Sequence, residues 1–266
     1  MDSVNKTLYI PLYGKAYASK QGILLRDEKA EEIWKKEQFP LKGKAASKWL
    51  AYTMAVRAAV FDQWTAEMLE THPNAAVVHI GCGLDSRCLR VESTGNLWYD
   101  IDFADVIRER RKYFDESDRY RMVAADMRTD AWKEELPAGG TAIIVMEGVS
   151  MYFRRKELVK LLAELKAQFS EVHLLMDCYS VFGAKASKYK NPINQVGVTT
   201  VYGLDDAENL AAEAGFRYTA EHDLTPESMI LQLKKREQGI FRSFFAGKMA
   251  RRIYRLYEFD TKKEPA

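Results

Sequence analysis

The first seventy residues carry apolar side chains at helical spacing. Residues 28–37 (EKAEEIWKKE) follow Asp27, whose carboxylate is a favoured helix N-cap. In residues 44–70 the apolar positions recur every three to four residues, as in a helix with one buried side. They are Leu50, Met54, Val56, Phe61, Trp64 and Met68. Pro73 ends this segment, so the pattern predicts a helical N-terminal part over residues 1–72.

From residue 75 onward the pattern changes to short apolar runs separated by helical segments. The runs are AAVVHI (75–80), NLWYDID (96–102), RMVAAD (121–126), TAIIVMEG (141–148) and EVHLLMDCY (171–179). Continuous apolar runs of this length are typical of buried parallel strands. Amphipathic segments at 104–114 and 154–169 predict helices between them. Strands alternating with helices predict an α/β fold with a mainly parallel sheet over residues 75–180.

Residues 181–266 keep the strand and helix pattern less regularly. Residues 205–215 (DDAENLAAEAG) predict a helix that ends at Gly215. A sixth strand is predicted at 216–223 and a final strand at 253–260. Because no linker interrupts the chain, we expect one domain over residues 1–266.

Two segments of this C-terminal part lie between the predicted strands. Residues 225–252 predict helix, with one side formed by Phe241, Phe244, Phe245 and Met249. Arginines beside these aromatic residues also fit an interfacial helix, but such a stripe more often covers a core, and we expect no membrane contact. Residues 181–203 have no clear periodicity and predict a substrate-side loop.

The composition narrows the class of protein. The chain is 47% hydrophobic and 12% aromatic, as expected for a globular fold with a sizeable core. Forty Lys and Arg against 38 Asp and Glu leave a net charge of +2, which does not favour nucleic acid as a partner. The N-terminus shows no signal-peptide pattern, and no apolar run reaches the length of a membrane span. These features predict a cytoplasmic enzyme; they do not indicate its oligomeric state.

Cysteine and histidine spacing predicts neither disulfides nor a metal site. The three cysteines form no CxxC pair and no even framework, which fits a reducing compartment. The four histidines are scattered and include no HExxH motif, so we expect no metal ligands among them. They are His72, His79, His173 and His222.

The turn after the first strand, HIGCGLDSR, is the first chemical signal. Gly81 and Gly83 permit a tight turn and a close approach of a ligand to the backbone. In a dinucleotide-binding fingerprint a third glycine would occupy position 86, which is Ser86 here. S-adenosylmethionine has no pyrophosphate and does not need that glycine. The turn therefore favours a methyl donor over NAD or FAD.

Carboxylates follow the second and third strands. Asp100 and Asp102 come about twenty residues after the glycine turn, where an acid accepts hydrogen bonds from ribose hydroxyls. Spacing does not choose between them, and a helix N-cap is the competing interpretation. Asp126 ends the third strand, where it could accept from an adenine amino group while Met127 packs against the ring. A helix N-cap is the alternative there too.

Three further charged residues are candidates for ligand contacts. Glu147 directly follows the apolar run AIIVM, where a carboxylate is costly to bury without a cation, such as a ligand ammonium. Arg57 interrupts an apolar helical segment, and its partner could be a ligand carboxylate or a structural salt bridge. Lys15 is a further candidate cation, with a solvated helix face as the alternative.

These residues together resemble the leucine carboxyl methyltransferase superfamily, in its tetracenomycin-type polyketide O-methyltransferase branch. The resemblance covers most of residues 8–153 and continues weakly through 202–216. It rests on IPLYGKAYASK, RAAVFD, VVHIGCGLDSRCLRV, YDIDFADVIRERRKYF, AADMRTDAW and MEGVSMYF. It implies a class I S-adenosyl-L-methionine-dependent methyltransferase with a seven-stranded sheet and an antiparallel last strand.

The resemblance also implies roles for the candidate residues. Lys15 and Arg57 would hold the methionine carboxylate of the cofactor, and Gly81 would line the methionine moiety. Asp102, rather than Asp100, would bind the ribose. Asp126 and Met127 would border the adenine, and Glu147 would lie near the methionine end.

The methyl acceptor is less well defined. No residue is an obvious general base, which favours a carboxylate or an acidic hydroxyl, and Tyr152, Tyr179 and Lys185 are candidates to line the acceptor pocket. The leading hypothesis is an O-methyltransferase for a small, polyketide-like molecule. Methylation of a protein C-terminal carboxylate, and a cofactor-binding protein without turnover, are the alternatives. An NAD-dependent oxidoreductase is the least favoured, because of Ser86.

Overall fold

The computed structural model describes residues 5–93, 95–190 and 200–261. The strands in these ranges are β1 (Ala76–Ile80), β2 (Trp98–Asp102), β3 (Tyr120–Ala124), β4 (Thr141–Met146), β5 (Glu171–Tyr179), β6 (Arg217–His222) and β7 (Tyr254–Asp260). They form one sheet in the order β3–β2–β1–β4–β5–β7–β6. The first five strands pair in parallel, whereas β7 runs antiparallel to both β5 and β6. The expected α/β fold and the antiparallel last strand are confirmed.

Helices cover both faces of this sheet. They are α1 (Tyr9–Lys20), α2 (Glu28–Glu37), α3 (Lys48–Thr71), α4 (Arg87–Arg90), α5 (Ala104–Arg110), α6 (Arg155–Gln168), α7 (Val181–Lys190), α8 (Ala207–Ala214), α9 (Glu227–Ile230), α10 (Lys235–Phe245) and α11 (Gly247–Ile253). Short 3-10 helices lie at Asn5–Leu8, Gly43–Ala46 and Ser150–Tyr152. In the described residues no helix is both long and apolar enough to cross a membrane.

The two faces of the sheet bury alternate residues of each strand. Val78 of β1 and Ile144 of β4 pack on the side covered by α6 and α8. Val77 and Ile143, their neighbours in sequence, pack against α3 on the other side, where Phe61 and Trp64 contribute. Both faces are apolar because helices cover both, which explains the continuous apolar runs in the sequence.

The N-terminal helices pack over the turn that follows β1. Asp27 accepts a hydrogen bond from the Ala30 backbone nitrogen at 2.8 Å, so the predicted N-cap of α2 is confirmed. Side chains of α1 and α2 form a cluster with Cys82 and Leu84 of the turn. This packing brings the N-terminal residues to the carboxyl ends of the parallel strands.

Several element boundaries differ from the prediction. The helix expected over 104–114 ends at Arg110. The segment 181–203 contains the helix α7 rather than only a loop, and residues 191–199 of it lie outside the described part. The helix predicted to end at Gly215 does so, and this glycine adopts a left-handed conformation with φ of 75°.

The prediction of one helix over residues 225–252 with a single apolar side is wrong in two respects. It consists of the three helices α9, α10 and α11. Phe241 is fully buried and Phe245 stacks on Trp49, but Phe244 is 72% exposed and Met249 is 58% exposed. Phe244 belongs to α10 together with Phe241 but lies on the exposed side of that helix, whereas the break before Gly247, which has a positive φ, places Met249 on α11.

Candidate active site

A cavity of about 1090 Å³ opens at the carboxyl ends of β1, β2 and β4, among the described residues. Its wall includes ten of the candidate residues from the sequence. They are Lys15, Arg57, Gly81, Gly83, Asp102, Asp126, Met127, Glu147, Tyr152 and Tyr179. The strands run in parallel, so the residues that follow them meet at one edge of the sheet, which is where open α/β sheets bind ligands.

The glycine turn forms the floor of this cavity. Gly81 has φ of 69° and Gly83 has φ of 51°, in the left-handed region that favours glycine. A Cβ atom at position 81 would lie 2.1 Å from a methyl carbon of Val149. The absence of a side chain at Gly81 is therefore required by backbone conformation and by packing.

The structure separates the two acids at the end of β2. Asp102 lines the cavity and accepts hydrogen bonds from the backbone nitrogens of Gly83 and Phe103, both at 2.8 Å. Burial raises the pKa of Asp102 to about 6 because the backbone donors only partly offset desolvation. Asp100 is fully buried, pairs with Arg110 and accepts from the Tyr120 hydroxyl at 2.7 Å. Asp100 thus belongs to the core.

Asp126 and Met127 form the wall beyond Asp102. The Arg128 guanidinium contacts the Asp126 carboxylate at 2.7 Å, and this hydrogen bond lowers the pKa of Asp126. Met127 is 5% exposed and belongs to the core below the cavity. The residues after Asp126 form a turn and not a helix, as their hydrogen bonds show. Asp126 is therefore not a helix N-cap.

Two arginines of the protein satisfy Glu147. Arg57 Nε donates to one carboxylate oxygen at 3.0 Å, and Arg87 Nη2 donates to the other at 2.5 Å. Burial by itself would raise the pKa of Glu147, but the two guanidinium groups lower it to about 2. Arg57 has a structural salt bridge, one of the two alternatives left open by the sequence.

These ion pairs extend into a larger network, which we call the ion cluster. Lys15 lies 3.3 Å from Asp85, and Arg57 also contacts Asp177 at 3.1 Å. Salt bridges connect four cations and five carboxylates: Lys15, Arg57, Arg87, Arg90, Asp27, Asp62, Asp85, Glu147 and Asp177. Most of these side chains are buried, so each charge depends on its partners.

Aromatic side chains form the other half of the cavity. The rings of Tyr179 and Tyr254 pack edge to face with centroids 4.8 Å apart, and Tyr152 packs beside them. The Tyr254 hydroxyl donates to Asp177 Oδ2 at 2.9 Å. Burial raises the pKa of Tyr152 to about 12, so its hydroxyl stays protonated at neutral pH. Lys185 is exposed on α7 and does not line the cavity.

Three residues of this site were missed by the sequence analysis. Arg87 is the arginine of GLDSR, and it is fully buried beside Glu147. Asp177 lies within the apolar run LLMDCY, which was a signal as strong as that of Glu147. Tyr254 gave no local signal, because it reaches the cavity only through the pairing of β7 with β5.

The histidines are less scattered in space than in the sequence. The rings of His72 and His173 have centroids 4.2 Å apart, and Glu171 lies 3.2 Å from His173 Nε2. Glu171 begins β5, so the group lies at the opposite edge of the sheet from the cavity. His79 lies below the glycine turn, where it contacts Asp100 at 3.3 Å.

Comparison with known proteins identifies the family. The family model of leucine carboxyl methyltransferases matches residues 10–166, more than half of the chain. The tetracenomycin polyketide synthesis O-methyltransferase of Streptomyces glaucescens is 25% identical over 243 residues, 90% of each chain. An S-adenosyl-L-methionine-dependent methyltransferase of Gibberella zeae is 30% identical over 183 residues, 62% of this chain and 61% of the relative.

A solved structure shows the same fold. Magnesium protoporphyrin IX methyltransferase of Synechocystis PCC 6803, with bound S-adenosylhomocysteine, superposes with a TM-score of 0.51 at 12% identity. The match covers 87% of this chain and 94% of that one. This protein is an S-adenosyl-L-methionine-dependent methyltransferase and belongs to the leucine carboxyl methyltransferase family.

Proposed function

We propose that this protein is an O-methyltransferase whose acceptor is a small, polyketide-like molecule. The main observation behind this proposal is one continuous cavity of about 1090 Å³ that has a charged end and an aromatic end. Pockets for one small ligand usually measure roughly 300–1,000 Å³, so this cavity has room for a cofactor and an acceptor side by side. The similarity to the tetracenomycin pathway enzyme over 90% of each chain supports a polyketide-like acceptor.

The charged end would hold S-adenosyl-L-methionine. Lys15 and Arg57 would face its carboxylate, with Gly81 and Glu147 beside the methionine moiety. The residues fit this group, because Gly81 leaves its backbone open to a ligand and the cations Lys15 and Arg57 line the same cavity. The cofactor supplies a methyl group on a positively charged sulfur.

The same end continues toward the nucleoside. Asp102 would accept from the ribose hydroxyls with the carboxylate oxygens that now accept from the backbone. Asp126 and Met127 would border the adenine. Asp126 would either keep its Arg128 partner or exchange it for the adenine amino group.

The aromatic end favours a hydroxyl over a carboxylate as the acceptor. The cations that line the described part of the cavity are Lys15, Arg57 and Arg128, and carboxylates of the protein engage each of them. In this proposal Lys15 and Arg57 face the cofactor carboxylate, and Arg128 pairs with Asp126 beside the adenine. Among the described residues, no further lysine or arginine lines the cavity to receive an acceptor carboxylate. Tyr254 and Asp177 can instead receive a hydroxyl proton, because Tyr254 lines the cavity and its hydroxyl already donates to Asp177. Tyr152 and Tyr179 would complete the acceptor wall.

Calorimetry tests the cofactor site. We expect S-adenosyl-L-methionine and S-adenosylhomocysteine to bind the wild type and to bind Glu147→Gln and Asp102→Asn more weakly. Asp115→Asn, a substitution of an exposed acid outside the cavity, is the matched control and keeps the wild-type affinity. A folded wild type that binds neither ligand, or variants that bind both ligands like the control, would contradict this placement of the cofactor.

The acceptor group is tested with radiolabelled methyl transfer to a panel of aromatic hydroxy acids and peptides with a free C-terminus. Methyl esters release methanol in mild alkali, whereas aryl methyl ethers do not. We expect label that survives alkali, on small phenolic acceptors. Label that is lost in alkali would indicate a carboxylate acceptor, and label only on peptides with a free C-terminus would contradict a small-molecule acceptor.

A further inference from the structure

The ion cluster contains one more negative charge than positive charges. Its salt bridges join four cations to five carboxylates through contacts of 2.5 to 3.4 Å. His79 lies beside the cluster, with Nε2 3.4 Å from Arg87 and Nδ1 3.3 Å from Asp100. In a buried site such an imbalance is costly, because water does not screen it.

Asp177 carries this excess charge. Among the described residues Glu147 has two guanidinium partners, whereas Asp177 has one, Arg57, which it shares with Glu147. Asp27 also has one shared cation, Arg90, but Arg90 does not line the cavity as Arg57 does. The remaining bonds to Asp177 come from neutral donors, the Gly148 nitrogen at 2.6 Å and the Tyr254 hydroxyl. Complete burial raises the pKa of Asp177 to about 6. Arg57 opposes this rise, and the neighbouring Glu147 carboxylate adds to it.

The two forms of the cofactor differ in charge at the place where the cluster meets the cavity. S-adenosyl-L-methionine has a sulfonium, an ammonium and a carboxylate, so its net charge is +1. S-adenosylhomocysteine lacks the sulfonium charge and is neutral overall, with the same groups otherwise. A buried site with one excess negative charge is neutralised by the first ligand and not by the second.

We propose that the excess charge on Asp177 makes this cavity select S-adenosyl-L-methionine over S-adenosylhomocysteine. Asp177 does not line the cavity, so it is a specificity-determining residue that acts through Arg57 and Tyr254, which do. The consequence is that the spent cofactor leaves more readily than the loaded one. This inference rests on the cofactor lying in the cavity as proposed above.

The preference depends on the ionisation of Asp177. The charged and titratable groups that face it are Arg57 of α3, Glu147 after β4 and Tyr254 of β7. Tyr152 and Cys178 also interact with it, and burial raises the pKa of each, so both stay protonated. Glu147 stays ionised and Tyr254 stays protonated in the working range, so Asp177 is the group of this set that titrates near pH 6. Above about pH 6 Asp177 is ionised, and the cavity prefers S-adenosyl-L-methionine. Below that pH Asp177 is protonated, and this preference is lost.

Calorimetric titration with both ligands at about pH 7 and about pH 5 tests this inference. A group with a pKa of about 6 is roughly nine-tenths protonated one unit below it, so the ratio of the two Kd values should fall about tenfold. Asp102 has a pKa of about 6 too, but it faces the ribose that both ligands share. Protonation of Asp102 should therefore raise the Kd values of both ligands by the same factor, which leaves their ratio unchanged.

Two isosteric variants separate the effects. Asp177→Asn should lower the preference about tenfold at pH 7 and remove its pH dependence. Asp102→Asn, the matched control, should weaken both ligands and leave the ratio and its pH dependence as in the wild type. A ratio that does not change with pH in the wild type, or that changes equally in both variants, would overturn the inference.

A measurement on the wild type alone covers the case in which Asp177→Asn does not fold. Binding heats in two buffers of different ionisation enthalpy give the protons released at about pH 6. S-adenosyl-L-methionine should release about half a proton per site more than S-adenosylhomocysteine, and equal release overturns the inference. Failure of both ligands to bind would instead contradict the proposed cofactor site.

Discussion

Arg87 offers the sharpest test of the ion cluster as a source of stability. Its guanidinium is fully buried and contacts Asp62 at 2.7 Å, Asp85 at 3.4 Å and Glu147 at 2.5 Å. Arg87→Met keeps most of the volume of the side chain but leaves these carboxylates short of one cation. Removing one partner from a buried ion pair costs about 3–5 kcal/mol, and we expect at least this loss of unfolding free energy at pH 7.

Urea unfolding followed by circular dichroism measures the loss. With a slope of about 3 kcal/mol per molar urea for a chain of this size, the midpoint should fall by about 1–1.7 M. Arg26→Met is the matched control, because Arg26 pairs with Glu28 but is 85% exposed in its side chain. An exposed pair contributes about 0–1 kcal/mol, so the midpoint of the control should barely change.

The pH dependence separates charge from packing in the same variant. Without Arg87 the pKa values of Asp85 and Glu147 rise toward and above those of the unfolded chain. Protonation then relieves the repulsion, so the difference from the wild type should shrink as the pH falls from about 7 to about 4. A loss below about 1 kcal/mol, or a loss of constant size over this pH range, would refute the electrostatic reasoning.

Three further expectations follow from single features. Gly81→Ala should destabilise the protein by about 1–3 kcal/mol, measured by urea unfolding, because of its positive φ and the contact with Val149. Gly22→Ala shares the positive φ but has open space around it, so the difference between the two variants reports the clash. Phe241→Ala should cost about 3–5 kcal/mol, whereas Phe244→Ala should stay within about 0.5 kcal/mol. S-adenosyl-L-methionine at about a hundred times its Kd should stabilise the fold by about 2.7 kcal/mol in a thermal melt, and protection by NADH instead would contradict the cofactor assignment.

Much of the cavity could be predicted because its residues follow consecutive strands. Asp102 and Glu147 stand directly at the ends of apolar runs, and parallel strands bring such positions to one edge of the sheet. The glycine turn has the same origin, since Gly81 follows β1 without a break. Local sequence order was enough for these residues, and it also predicted all seven strands, including β6 and the final strand β7.

The other residues of the site depend on contacts that local pattern does not encode. Tyr254 reaches the cavity because β7 inserts antiparallel beside β5, some seventy-five residues earlier in the chain. Glu147 was correctly expected to need a cation, but the choice between a ligand and Arg87 depends on how α4 packs under α3. The breaks around α10 were missed because helical periodicity continues across the turn at Gly247.

The single long helix α3 limits which insertions this sequence can accept. It bears Arg57 at the cavity, Phe61 one turn later and Trp64 two turns later, and the last two lie in the core beneath the sheet. Each residue of an α-helix advances by 1.5 Å and turns by about 100°, so one residue inserted between Arg57 and Phe61 would swing the guanidinium away from Glu147. No neighbouring loop could absorb that rotation, since both ends of this stretch are anchored. Length variation among natural variants of this chain should therefore avoid this helical turn, even where the amino acids on its exposed side change freely.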